Sequence, residues 1–95
     1  MGLITIHPEP GGRVKIQVRR HDIGMERSPA EGGRDGAVSP VEMTAASLGA
    51  CIGLTVNEYC VRHGYRDGSV SVFLDFELGD SPRRIRSITI DLEIV

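Results

Sequence analysis

The segment from Ser39 to Gly64 constrains this chain more than any other. Ser39 can cap a helix, Pro40 fits the first helical position, and Glu42 completes a Ser-x-x-Glu capping box. Gly64 after His63 is a helix stop, so the pattern predicts a helix from Pro40 to about His63. Val41, Ala45, Leu48, Ile52, Val56 and Tyr59 form one stripe and Met43, Ala46, Ala50 and Cys60 lie nearer another, the pattern of a central, buried helix. Gly49 and Gly53 each cost about 1 kcal/mol against Ala in a helix interior. Their i, i+4 spacing predicts close approach by another backbone.

Period-2 segments flank this helix. Leu3 to Ile6 is a short strand candidate, followed by a turn at Pro8-Glu9-Pro10-Gly11-Gly12. Val14, Ile16 and Val18 alternate with Arg13, Lys15, Gln17 and Arg19, as in a half-buried strand, and the two strands predict a hairpin. His21 to Val38 reads mostly as loop, with a short strand around Ile23 to Glu26. After the helix, Ser69 to Leu78 alternates apart from Phe73, and Ile88, Ile90, Leu92 and Ile94 alternate with Ser87, Thr89, Asp91 and Glu93. Gly79-Asp80-Ser81-Pro82 joins these runs, which predicts a second antiparallel hairpin. The order of segments is that of an α+β fold, antiparallel strands from both chain ends packed around a long central helix.

Two cysteines make no disulfide framework, and a reducing cytoplasm would keep them as thiols. Cys51 and Cys60 are nine residues apart, which puts them on opposite helix faces and about 13 Å apart along the axis. Disulfide geometry needs Cα atoms within about 7 Å, so the two cannot pair within one intact helix. Cys60 is read as a packing residue, and on the residues alone Cys51 stays open between a reactive thiolate and an inert buried thiol.

Ser39-Pro40-x-Glu42, followed by a run of small residues ending in Gly49-Ala50-Cys51, resembles the osmotically inducible protein C (OsmC) family, which includes the organic hydroperoxide resistance proteins. The amino-terminal strands, the Gly32-Gly33-Arg34-Asp35-Gly36 loop and the two strands after Gly64 extend the resemblance over nearly the whole chain. It implies an intertwined homodimer with catalysis at the dimer interface, and two-electron reduction of a hydroperoxide by a cysteine thiolate set beside an Arg and a Glu. It also implies a second thiol, carried on a second long helix, and recycling by an external dithiol. The strand pattern still runs at Val95. Against the resembled family this reads as a single domain, residues 1–95, incomplete at its carboxyl end and lacking the second helix and its cysteine.

Carried over residue by residue, Cys51 takes the peroxide-attacking position. Glu42 stands one place later than the carboxylate of the hydroperoxide resistance branch, where this chain has Val41, and nine residues from Cys51 it faces away on a straight helix. For the arginine the chain offers Arg19, Arg20, Arg27 and Arg34; Arg34 in its Gly-rich, mobile loop and Arg27 at a strand end are the candidates retained. Only a thiolate is nucleophilic, and a thiol of pKa about 8.5 needs a neighbouring positive group to ionise near neutrality.

The rest of the chain narrows the classes. A length of 95 residues makes one domain, marginal in the core it can bury alone, which points to a homodimer. A net charge of -2 and four aromatics give no nucleic-acid footprint. No apolar run approaches the roughly 20 residues of a membrane span, and the amino terminus is unlike a signal peptide, so a cytoplasmic protein is expected. His7, His21 and His63 are dispersed and no Cys/His spacing matches a zinc site, so neither metal nor cofactor is expected. No Gly-x-Ser-x-Gly elbow, phosphate loop or dinucleotide fingerprint occurs. Two functions stay open: a thiol peroxidase using an external thiol reductant, or a non-enzymatic dimeric module that binds a small apolar ligand.

Overall fold

The computed structural model describes residues 2–80 and 83–95. Its element order is β1 (Ile4–Glu9), β2 (Arg13–Val18), β3 (His21–Glu26), a short 3-10 turn (Pro29–Glu31), α1 (Pro40–Arg62), β4 (Val70–Asp80) and β5 (Arg83–Ile94). This is an α+β fold of one long helix and antiparallel strands. The chain divides into two compact units, Met1–Met43 and Thr44–Val95.

The first unit is built on an antiparallel sheet of order β1-β2-β3. The pairs Ile6↔Ile16 and Ile16↔Ile23, with Val14↔Met25, align the apolar positions of three strands on one face. β1 runs through Pro8, which lay in the expected turn. Pro8 opposes Val14 on an edge strand, where a missing N–H costs no ladder bond. β3 is also longer than its periodicity suggests. Arg19 and Arg20 close a two-residue turn between Val18 and His21, with Arg19 in the left-handed region (φ 54°). Glycine or asparagine marks such a turn in most sequences; arginine does not.

The second unit holds most of α1 and the β4–β5 hairpin. Outside it, in the first unit, the Ser39 backbone N–H donates to Glu42 Oε1 (3.0 Å) and the Glu42 N–H to Ser39 Oγ (3.2 Å), the expected capping box. At the other end Gly64 is left-handed (φ 90°). Its N–H bonds the Val61 carbonyl and that of Tyr65 bonds the Cys60 carbonyl, satisfying the last turn.

The hairpin pairs Val72↔Leu92, Leu74↔Ile90 and Phe76↔Ile88, the register expected from alternation. Glu77 then opposes Ser87 while Leu78 opposes Ile85, so Arg86 is an extra residue on β5. That bulge brings Ile85 back into phase with Ile88 and explains why the alternation seemed to begin only at Ser87. An Arg86–Glu77 ion pair (2.6 Å) lies over it. Phe73, the exception to the pattern, is exposed on the outer face opposite Asp91. The Ser81-Pro82 part of the expected connection lies outside the described residues.

Burial on α1 follows a line of small residues rather than the large-residue stripe: Ala45, Gly49 and Cys60 are buried. Leu48 and Tyr59, expected inside, are exposed. A Cβ at Gly49 would sit 3.3 Å from Leu74 Cδ1, and one at Gly53 3.2 Å from Val72 Cγ2. The two glycines therefore admit side chains of β4, not the second backbone their spacing suggests. Among the described residues no helix is long and apolar enough to cross a membrane.

Candidate active site around Cys51

Cys51 lies about three turns into α1 and is exposed, whereas Cys60, nine residues on, is buried at 3% exposure. The reading of Cys60 as a packing residue agrees with this placement. The expectation of a helix buried around Cys51 does not, because the hairpin takes the Gly49–Gly53 face and leaves the Cys51 face open. Helical spacing sets Ser47, Leu48, Leu54 and Thr55 around the thiol. The Ser47 hydroxyl donates back to the Thr44 carbonyl (3.0 Å) and so satisfies itself within the helix.

Beside Cys51 runs an open apolar groove of about 620 Å3, lined by Ala46, Gly49, Ala50, Gly53 and Leu54 of the helix and by Val72 and Leu74 of β4. Ala50 precedes the cysteine, and Leu54, one turn on, is 73% exposed. Ala50, the residue before the thiol, thus lines a groove that offers dispersion contacts and few hydrogen bonds, suited to an alkyl chain.

The remaining candidates lie in the first unit. The Glu42 carboxylate is engaged in the capping box. The Ser39 backbone amide and then the Ser39 hydroxyl hold its pKa below the ordinary 4.5. Arg27 is exposed just after β3; its N–H bonds the Gly12 carbonyl and its side chain lies against Gly12. Arg34 is exposed, but its backbone N–H is tied down by the carboxylate of Glu26. The loop read as mobile is fastened there.

Glu26 went unread in the sequence. It is 2% exposed and accepts from Arg13 Nη1 (2.7 Å) and from the Arg34 and Gly36 amides. The Arg34 amide does most to hold its carboxyl below the ordinary range; burial opposes this, and the Gly36 amide and Arg13 add to it. One signal was available: Gly32, Gly33 and Gly36 mark close backbone approach. Among the described residues no group of three or more His, Cys, Asp or Glu side chains could hold a metal ion.

An exposed thiol on a helix that also lines an apolar groove, in a small α+β fold, is the candidate site of this chain. The OsmC-like protein family matches residues 32–95, two thirds of the sequence and the whole of the helix and hairpin. The chain belongs to that family. Its fold is similar to the crystal structure of a protein from Psychrobacter arcticus 273-4 assigned to the osmotic stress induced and detoxification response, with a TM-score of 0.82 and 20% identity, over 97% of this chain and 69% of that one. No curated protein matches the sequence.

Proposed function

We propose that this chain is an OsmC-like thiol peroxidase that reduces organic hydroperoxides through Cys51, acting as a cytoplasmic homodimer. The observation that carries the reading is an exposed thiol that directly follows Ala50, a residue lining the apolar groove. An alkyl tail lying along Ala50, Leu54 and Leu74 would present its O–O bond to the sulfur. The thiolate attacks the outer oxygen and the O–O bond breaks. Its electron pair leaves on the alkoxide, which takes a proton to become the alcohol, while Cys51 is left as a sulfenic acid. Arg34 or Arg27, brought to the thiol within the dimer, would supply the positive charge that favours the thiolate. Glu42, bound in its cap, would orient the helix start. Buried Cys60 cannot reach the oxidised sulfur. An external thiol then condenses with the sulfenic acid, releasing water, and a second external thiol frees Cys51.

A second reading, an apolar-ligand module without redox chemistry, is favoured by the engagement of Glu42 in the cap and by the same groove. Hydroperoxide consumption with a small dithiol as reductant separates the two. The expected result is turnover by the native chain and Cys60→Ser, none by Cys51→Ser, and mass spectrometry showing oxidation at Cys51 first. Oxidation at Cys60 with Cys51 intact overturns the assignment. No oxidation at either, with an apolar fluorophore bound equally by the native chain and Cys51→Ser, establishes the second reading.

A further inference from the structure

Glu26 is an unusual residue to find inside so small a unit. A buried carboxylate is tolerated only when its lone pairs are taken, and here Arg13 donates to Oε1, the Arg34 amide to Oε2, and the Gly36 amide adds a third bond. Its own backbone N–H also donates to the Val38 carbonyl (2.9 Å), so the loop is bound to this single residue at both ends.

The loop is shaped for this contact. Asp35, between the two amide donors, is left-handed (φ 57°), which turns the Arg34 and Gly36 N–H groups toward one anion, as in a backbone nest. A Cβ at Gly36 would sit 2.9 Å from both Arg13 Nη1 and Glu26 Oε1, and one at Gly33 only 1.7 Å from the Arg27 carbonyl oxygen. Gly33 therefore has no room for a side chain against the Arg27 backbone, and a side chain at Gly36 would have to push the Arg13–Glu26 pair aside, because the loop lies directly on the end of β3.

We infer that Glu26 is a latch: its carboxylate holds residues 33–38 folded over the end of the β2–β3 ribbon, and neutralising it releases that loop as a unit while the sheet stays intact. The latch sets where the Arg34 side chain leaves the backbone and steadies the approach to the Ser39 cap. Its consequence for Arg34 rests on the proposed role of that arginine, but the latch itself does not. The charged groups around the carboxylate are few. Arg13 opposes it across the β2–β3 ladder and Glu9 opposes Arg13 on β1, so Arg13 stands between two carboxylates. Asp35 is exposed between the amide donors, Arg27 lies over Gly12, and Glu31 accepts from the Ser28 hydroxyl. Glu26 alone among the acids here is buried, so it is the group whose protonation removes a buried contact.

Residue-resolved amide exchange, corrected for intrinsic rates, tests this on the native chain, Glu26→Gln and Arg13→Gln. The β4–β5 amides of the other unit serve as reference. At neutral pH, Glu26→Gln is expected to lower protection at Arg34 and Gly36 by about tenfold or more, with the β1–β2 ladder unchanged. Arg13→Gln, which keeps the carboxylate and its amide donors, should lower it less. In the native chain the same two amides should open on acidification with the midpoint of the Glu26 carboxyl resonance, below that of an ordinary glutamate. Trypsin cleavage after Arg34 should accelerate in Glu26→Gln in parallel. Unchanged protection in Glu26→Gln, or exchange of Arg34 and Gly36 at free-peptide rates in the native chain, overturns the inference. If Glu26→Gln unfolds the whole first unit, the acid titration decides: loop opening ahead of the β1–β2 ladder supports the latch, and simultaneous loss refutes it. Peroxide consumption is read separately, so loss of the latch and loss of the Cys51 chemistry are distinguishable.

Discussion

Replacing Gly49 and Gly53 by alanine should separate two positions that look alike in the sequence. Each change gains about 1 kcal/mol of helix propensity. At Gly49 the new methyl meets Leu74 Cδ1 at 3.3 Å, the far end of a side chain that can swing by a few tenths of an ångström. The methyl is then buried against leucine, and Gly49→Ala should stabilise the chain by about 0.5–1 kcal/mol. At Gly53 it meets Val72 Cγ2 at 3.2 Å. That atom is attached directly to a branched Cβ, which cannot move without turning χ1 or the strand. An off-rotamer cost of about 0.5–1.5 kcal/mol cancels the propensity gain, so Gly53→Ala should be neutral or slightly destabilising. The variants should therefore differ by about 1 kcal/mol, read as a shift in urea midpoint at constant m-value. If Gly53→Ala stabilises as much as Gly49→Ala, or if both destabilise equally, the packing of β4 on this helix face is not as described.

Three further outcomes follow from the first unit. Ser39→Ala removes the hydroxyl that receives the Glu42 N–H and should cost about 1 kcal/mol. The folded-state pKa values of Glu26 and Glu42 are both held below 4.5, so the stability they contribute is complete above that pH and lost as pH falls through the lowered values. Urea midpoints measured from pH 6 downward should be flat to about 4.5 and then decline, with a shallower decline in Glu26→Gln. Gly33→Ala should unseat the loop without altering the β4–β5 amides, since its Cβ would overlap the Arg27 carbonyl; amide exchange reads both effects.

Features written in local chemistry were legible: the helix from Pro40, its capping box, the glycine stop and the phase of Val72, Leu74, Ile90 and Leu92. The failures have particular causes. Arg19 adopts a turn conformation that its residue type rarely signals, which hid the first two residues of β3. Arg86, as a bulge, broke the period that would have carried β5 back to Ile85. On the helix, hydrophobicity pointed to Leu48 and Tyr59 as the inner face, but contact with a strand is decided by how near the surfaces can come, and the small residues won. Glu26 was hidden for a different reason. Its burial depends on a loop that contributes backbone amides, and amides leave no trace in residue identity.

The placement of the two cysteines follows from that same competition for the helix surface. The hairpin needs the Gly49–Gly53 line to reach the helix. A residue two positions after Gly49 is rotated about 200° from it, which turns Cys51 away from β4. Cys60, eleven residues after Gly49, is rotated by about three full turns and returns to the buried side. One packing choice thus exposes one thiol and buries the other. It also places Ala50 and Leu54, between the two faces, along the edge of the groove. A substitution that moved the hairpin onto the Leu48 side would bury Cys51 and close the groove together. For this chain, access to the thiol and the apolar surface beside it are consequences of the same two glycines.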